Sequence, residues 1–412
     1  MNRIVDCLPK MKIGKDLVSA LQVLPTYDIN IFNEDSVTRL MALSDLYKIY
    51  IPSFMSVEIY SKLYLALIRS ISKKHTKLSI VQQNENFKAV SGEEYRGIMG
   101  GSDSFTIIGA SGIGKSSAIT RAITLITENK IIETEHPYNK IIPCVIVQCP
   151  FDSSVKGLLL EILRKVDEAL DSTYYEKALR SRATIDMLIG SVSQVALNHI
   201  GLLIVDEIQN VVNSKNGKSL VGALTQLINN SGISICMVGT PESSIFFEQA
   251  MQLARRSLGL QYGAMKYDEQ FKAFCKTLLS YRYVKREVSV TEAMIQWLYE
   301  HSNGITSVVV SLIHDAQEIA ILNGTEVLDI TTLDEAYQQR LSLLHSHIKP
   351  QKPSKTVSKK SEASDIKRIE NAKNEPVNAK LLQDILLKSK SENIDILTLI
   401  KQKIQIEEVR LC

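Results

Sequence analysis

The stretch Gly109-Ala110-Ser111-Gly112-Ile113-Gly114-Lys115-Ser116 follows an apolar run at 105–108 and leads into a segment of helical periodicity. Strand, glycine-rich turn, lysine, hydroxyl and helix occur in the order of a phosphate-binding loop, GxxxxGK[ST]. The spacing has a mechanical reason. Glycines let the backbone turn so that successive N–H groups converge on phosphate oxygens, with a helix N-terminus behind them. On this reading the nucleotide is held by residues 109–117, ending at Ser117. Lys115 neutralises the β- and γ-phosphates of the nucleotide, and Ser116 ligates Mg²⁺.

Outward from the loop, residues 105–239 alternate short apolar runs with helical patterns, the pattern of a parallel sheet covered by helices on both faces. The fold class is therefore α/β. Strands are expected at 105–108, 143–148, 202–206 and 233–239, with helices starting near Gly114, Ser153, Thr184 and Lys218. After Thr240 the apolar strands stop, and helices are expected at 242–253, 267–279, 291–302, 307–322 and 331–344. Thr331 followed by Asp334 fits the last helix start, and Asn323-Gly324 fits a helix stop.

Upstream, residues 1–34 read as an extended or partly ordered arm with little regular structure, 35–50 and 54–74 as two helices separated by Pro52, and 82–91 as a polar loop. Downstream, 349–379 reads as a flexible basic linker, with eight basic and four acidic residues between Lys349 and Glu375. A tail follows in which Leu382, Ile385 and Leu386 share a face, with a further apolar run at 394–400. The expected division is an N-terminal arm with helices (1–90), an ATPase core (91–260), a helical lid (261–348) and a linker with an amphipathic tail (349–412).

Bulk composition agrees with a soluble chain of two or three domains: 412 residues, 45% hydrophobic and 23% charged. The 48 basic residues against 45 acidic leave a net charge of +3, which neither demands nor excludes nucleic acid. Six cysteines without a CxxC pair suggest neither a zinc site nor a disulfide framework, and fit a reducing cytoplasm. No apolar run approaches the ~18 residues of a membrane span, and no basic-then-apolar leader opens the chain, so neither export nor membrane insertion is expected.

The second motif is Leu202-Leu203-Ile204-Val205-Asp206-Glu207, about ninety residues after the loop. A buried strand ending in two carboxylates sets Asp206 beside the phosphate loop to hold Mg²⁺ with Ser116, and Glu207 to polarise an attacking water. In this order the two motifs make hydrolysis of a nucleoside triphosphate the expected reaction, with a binding-only switch as the alternative. Thr240, after the strand at 233–239, can orient the lytic water or cap the helix that Pro241 begins. The pair Arg255-Arg256 is either a solvated face or a cation supplied in trans to a neighbouring site.

The segments GASGIGKS, LLIVDEIQN, ICMVGTPES and LARRS, followed by a helical stretch, together resemble the AAA+ ATPases of the TnsC/TniB type, which regulate transposition. The resemblance covers about residues 35–345, including the Tyr50-Ile51-Pro52 turn and Cys149-Pro150-Phe151-Asp152 to Lys156-Gly157. It implies an AAA+ P-loop core with a helical lid, binding ATP and Mg²⁺, forming a homo-oligomeric ring or helical filament of six or seven subunits per turn on double-stranded DNA. It also implies links to a target-selection protein and, through the tail, to transposase subunits, in a bacterial, nucleoid-associated setting. Carried over by position, Lys115, Ser116, Asp206 and Glu207 take the nucleotide roles, Thr240 is the sensor, and Arg255 or Arg256 is the finger. DNA contact falls to Lys156, with Ser153 and Ser154, against the reading in which Lys156 only solvates a helix. One departure is evident. The segment Ser302-Asn303-Gly304-Ile305-Thr306-Ser307 has no arginine where many AAA+ proteins carry a sensor arginine, which implies slow hydrolysis. A replication-initiator or clamp-loader relative would bring that arginine. A nucleotide-gated scaffold with negligible hydrolysis is the other alternative.

Overall fold

The computed structural model describes residues 4–74, 76–98, 104–133, 140–211, 217–244 and 258–341, all within the compact unit Met1–Gln351. The linker and amphipathic tail, most of the helix expected at 242–253, and Arg255-Arg256 lie outside the described residues.

The sheet comprises β1 (Phe105–Gly109), β2 (Ile132–Glu133), β3 (Lys140–Gln148), β4 (Ile200–Asp206), β5 (Ser234–Gly239) and β6 (Leu258–Tyr262), in the order β2-β3-β4-β5-β1-β6. Every pair is parallel except β2 with β3. Register puts Gln148 opposite Asp206, and Ile108 between Gly239 on one side and Gln261 on the other. The carboxyl ends of these five parallel strands therefore form one edge.

Alternation along β4 shows how the sheet is buried. Leu203 and Val205 enter one core with residues of α6 (Val155–Leu170), α8 (Ile185–His199) and α9 (Gly217–Ser231). Leu202 and Ile204 enter the opposite core, with α1 (Gly14–Leu21), α3 (Phe54–Ser72) and α5 (Lys115–Thr127). Each large apolar side chain taken fully from water contributes about 1.5–3 kcal/mol. The short helix α7 (Tyr174–Arg180) follows α6, held where Asp167 accepts the N–H groups of Tyr174 and Tyr175 at 2.9 and 2.8 Å.

A third core joins α10 (Glu269–Leu279), α11 (Glu292–Ser302), α12 (Thr306–Leu322) and α13 (Ile330–Arg340) to Leu43, Leu46 and Ile49 from the N-terminal segment. Asp329 caps α13 in a capping box with Thr332, so the helix begins at Ile330, one residue before the start expected at Thr331. The stop after α12 at Asn323-Gly324 follows the sequence pattern, whereas α13 ends at Arg340, before the expected 344.

Several expectations are corrected. The segment 1–34 is not simply an extended arm: α1 buries Leu17 and Leu21, and Val23 pairs with Tyr50 in an isolated bridge. The 35–50 helix is α2 (Ser36–Ala42) continued as a 3-10 turn at Leu43–Lys48. The polar loop at 82–91 is mostly helix, because α4 (Lys77–Val90) buries Ser79, Gln82, Asn86 and Ala89 while exposing Leu78, Ile80, Val81 and Phe87. Its buried amides are satisfied: Gln82 donates to Asn86 Oδ1 at 3.0 Å, and Asn86 to the Asn230 carbonyl at 3.1 Å. Strands do not stop after Thr240, since β6 lies parallel to β1 at the sheet edge.

Lys74, just beyond α3, is buried with its Nζ donating to the carbonyls of Ala196 and Leu197 at 2.8 and 2.7 Å. Burial pushes its ammonium down from 10.5 to about 7. Between those two pH values the folded chain holds Lys74 neutral while the unfolded chain keeps it protonated, so the unfolded state binds more protons and stability rises with pH. Thermal denaturation from pH 7 to 10 is expected to show a rising midpoint in the wild-type chain and a flatter profile in Lys74→Met. Equal slopes in the two proteins would remove Lys74 as the source.

Candidate nucleotide site

The phosphate loop spans the end of β1 and the start of α5, with φ of +79° at Gly112 and +91° at Gly114, left-handed values that glycine adopts without penalty. A Cβ on Gly112 would run into Ser307 and Ile305, so the loop and the start of α12 are in close contact there. Thr306 Oγ1 and the Ser307 N–H both donate to the Gly112 carbonyl at 3.0 Å. The segment without a sensor arginine thus grips the loop backbone with a hydroxyl and an amide.

Lys115 is half-buried, and its Nζ donates to the carbonyls of Gly109 and Ala110 at 2.6 and 2.9 Å. Two of its three donors are used, leaving one for an anion. Burial lowers its ammonium from the usual range, opposed by the carboxylates of Asp206, Glu207 and Glu242.

Asp206 ends β4 with both carboxylate oxygens engaged: Oδ2 accepts from Ser116 Oγ at 3.3 Å and Oδ1 from the Glu207 N–H at 2.8 Å. A hydroxyl and a carboxylate oxygen this close are hard donors of the kind Mg²⁺ takes from protein alongside phosphate oxygens. Ser117, next on α5, is exposed and lines the same cavity.

Glu207 is exposed and adopts a left-handed backbone with φ +58°, a conformation costing a non-glycine residue about 1–3 kcal/mol. Gln209 Nε2 donates to its Oε2. Thr240 follows β5, which lies between β1 and β4, so Thr240 stands between the phosphate loop and Asp206. Its N–H donates to Gln209 Oε1 at 3.3 Å, and its side chain bonds Glu242, holding that carboxyl below its usual range.

These groups line a cavity of about 970 Å³. Its apolar wall comes from Ile49, Ile51, Pro52 and Met55 on the N-terminal side and from Met265, Phe274 and Val310 on the C-terminal side. Sequence reasoning missed this wall, Gln209, and the grip of Thr306 and Ser307 on Gly112. Only Gln209 left a usable signal, standing two residues beyond Glu207 in the same motif.

The residues expected to contact DNA lie on the loop after β3. Ser154 caps α6, accepting the Gly157 N–H at 3.2 Å, while Lys156 is exposed on the first turn. The loop is fixed from behind. Ser153, also expected to face DNA, is instead fully buried, its Oγ donating to the Asn210 carbonyl at 2.9 Å, and Asn210 Nδ2 donates to the Cys149 carbonyl at 3.0 Å. Phe151 is 91% exposed in this loop.

A mainly parallel sheet carrying these motifs at its carboxyl edge, with a helical cluster closing over the phosphate loop, defines an AAA+ P-loop NTPase core. A family model described as "Bacterial TniB protein" matches residues 96–260, the stretch that holds the phosphate loop and the strand ending in Asp206. No curated protein matches the chain. Among solved structures, Aeropyrum pernix ORC1 in complex with DNA aligns at 14% identity and TM-score 0.40, covering 82% of this chain and 80% of that one. Drosophila ORC bound to DNA aligns at 12% and 0.40, covering 97% and 83%. Domain III of the Thermotoga maritima replication initiation protein DnaA aligns at 16% and 0.34, covering 67% and 94%. With scores this low, the fold rests on the strand order and register described above. Among the described residues no helix is long and apolar enough to cross a membrane.

Gly304 sets the turn before α12 with φ +73°, and a Cβ there would strike the Met265 backbone, whose N–H donates to the Gly304 carbonyl at 3.0 Å. Gly304→Ala is expected to lower unfolding free energy by about 1–3 kcal/mol in denaturant titration. A change below about 0.5 kcal/mol would mean that the turn relaxes without cost.

Proposed function

We propose that this protein is an ATP-dependent regulator of DNA transposition that assembles on double-stranded DNA and links a target-selection protein to transposase. The nucleotide part of the reading is carried by the contact of Ser116 with Asp206 across 90 residues of sequence, with Glu207 beside it. The transposition part is carried by the TniB-model match over 96–260.

On this reading the loop N–H groups and Lys115 take the phosphates of ATP, and the apolar wall takes the base. Ser116 and Asp206 hold Mg²⁺, which supplies charge neutralisation at the phosphates when bound. Glu207 removes a proton from the attacking water, and Thr240 orients that water. Arg255 or Arg256, from a neighbouring subunit, stabilises the transferred phosphoryl group. Residues 261–348 act as the lid, residues 349–412 as the tether to transposase, and head-to-tail assembly into a ring or filament follows from a site completed in trans.

Glu207→Gln is expected to lose at least about a hundredfold in ATP turnover while still binding nucleotide, the range for loss of a general base. Turnover equal to the wild type would sink the assignment. Electron micrographs of the wild type with duplex DNA and a non-hydrolysable ATP analogue are expected to show rings or filaments, and persistent monomers would overturn the assembly reading.

DNA is held through phosphates by the loop after β3, so binding has little sequence preference and falls steeply with salt. Lys156→Ala is expected to weaken binding uniformly across sequences and to reduce the slope of log affinity against log salt by about 1. An unchanged slope would place Lys156 on a solvated helix face.

A further inference from the structure

We infer that Gln209 is the positioning residue for Glu207. The inference rests on the hydrolytic reading of Glu207 and adds what fixes that carboxylate. Gln209 lies in a short 3-10 turn at Ile208–Val211 directly after β4, and its side-chain amide faces two ways. Nε2 donates to Glu207 Oε2, and Oε1 accepts the Thr240 N–H at 3.3 Å. Three observations favour positioning over incidental contact.

First, Glu207 is exposed and its backbone is left-handed, so neither packing nor regular structure fixes the carboxylate. An unrestrained exposed carboxylate samples several rotamers, and misplacement of a reacting group by about 1 Å costs on the order of a hundredfold in rate. Second, the turn itself is anchored, with Ile208 fully buried and the Asn210 N–H donating to the Glu207 carbonyl at 3.1 Å. The amide of Gln209 is therefore carried on a fixed base. Third, its acceptor end is tied to the backbone after β5, the strand lying between the phosphate loop and Asp206. One primary amide thus couples the base to the neighbouring strand end, with its oxygen and its nitrogen each placed to do only one of these jobs.

An amide donor occupies one lone pair of the carboxylate and leaves the other oxygen for water. A neutral donor also leaves the site's charge unchanged, as a lysine in its place would not.

The test is steady-state ATP turnover in the full chain with magnesium. Gln209→Ala removes both bonds. Gln209→Glu keeps length and acceptor but sets a second carboxylate against the first. Both variants are expected to lose about tenfold or more in kcat with KM for ATP within about twofold, because an interaction that orients the base acts on the transition state and not on ground-state binding. In a Glu207→Gln background, Gln209→Ala is expected to cost less than about twofold further, since residues acting as one unit are not additive. Three results would overturn the inference: wild-type or raised kcat in Gln209→Ala, a loss in KM alone, or a full additional loss in the double variant. If Gln209→Ala fails to fold, as judged by its melting profile, Gln209→Glu alone decides between these outcomes. Equal turnover in wild type and Glu207→Gln would instead reject the general-base reading itself, a distinguishable failure.

Discussion

A parallel sheet has no face it can leave wet, because its strands are apolar on both sides. In this chain that constraint decides where the N-terminal segment goes. The crossover helices α6 and α8, with α9, cover one face, while α5 covers the other only in part, so α1 and α3 complete it. The segment just before α3 goes elsewhere: Leu43, Leu46 and Ile49 belong to the core of the C-terminal helices. Arg39 fixes that second attachment. It is fully buried, donates to Glu326 through both terminal nitrogens at 2.7 Å and to the Tyr283 carbonyl at 2.9 Å, and holds the Glu326 carboxyl below its usual range. A buried ion pair of this kind gains little net stability but penalises every arrangement that leaves it unpaired. The N-terminal segment is therefore committed to both cores, and the turn between its two attachments, around Ile51 and Pro52, has only one place to be. That place is the wall of the nucleotide cavity.

What could be read from the chain beforehand follows from how local each signal is. The phosphate loop, the strand ending in Asp206 and the helices beginning near Gly114, Ser153 and Thr184 announce themselves through glycine spacing, apolar runs and periodicity, and the structure has them where those patterns fall. The misses are of a different kind. Helix α4 hides because its polar side chains face inward, paired by hydrogen bonds, and its apolar ones face out, reversing the rule by which periodicity is read. Strand β6 hides because Leu258-Gly259-Leu260-Gln261-Tyr262 is short, interrupted by glycine and glutamine, and lies at a sheet edge. The cavity wall hides because Ile49 to Met55 precede the phosphate loop by more than fifty residues, and only tertiary packing brings them together. No pattern in one dimension carries that information.

The 3-10 turn after β4 belongs to both sides of the sheet edge. Gln209 faces Glu207 and Thr240, while the next residue, Asn210, faces the loop after β3 through its side chain and its carbonyl. Four residues with a buried isoleucine at their head thus touch the nucleotide edge and the loop that carries Phe151 and leads into α6. Displacing Asn210 would break the bonds that hold the loop, and displacing Gln209 would break those that hold the carboxylate.

The absence of an arginine at 302–307 has a structural counterpart in what stands there. A carbonyl oxygen has two lone pairs, and at Gly112 one receives the Thr306 hydroxyl and the other the Ser307 N–H. Both bonds are neutral, contributing about 0.5–1.5 kcal/mol each, against about 1.5–3 for a bond to a charged group. An arginine at this position would grip a phosphate directly and make closure depend on nucleotide charge. Here the C-terminal helices grip the loop backbone, and the left-handed φ of Gly112 fixes the direction of its carbonyl. At this contact, any influence of nucleotide on those helices passes through the geometry of the loop. A rearrangement that turns the Gly112 carbonyl away releases both bonds at once, whatever charge the phosphates carry.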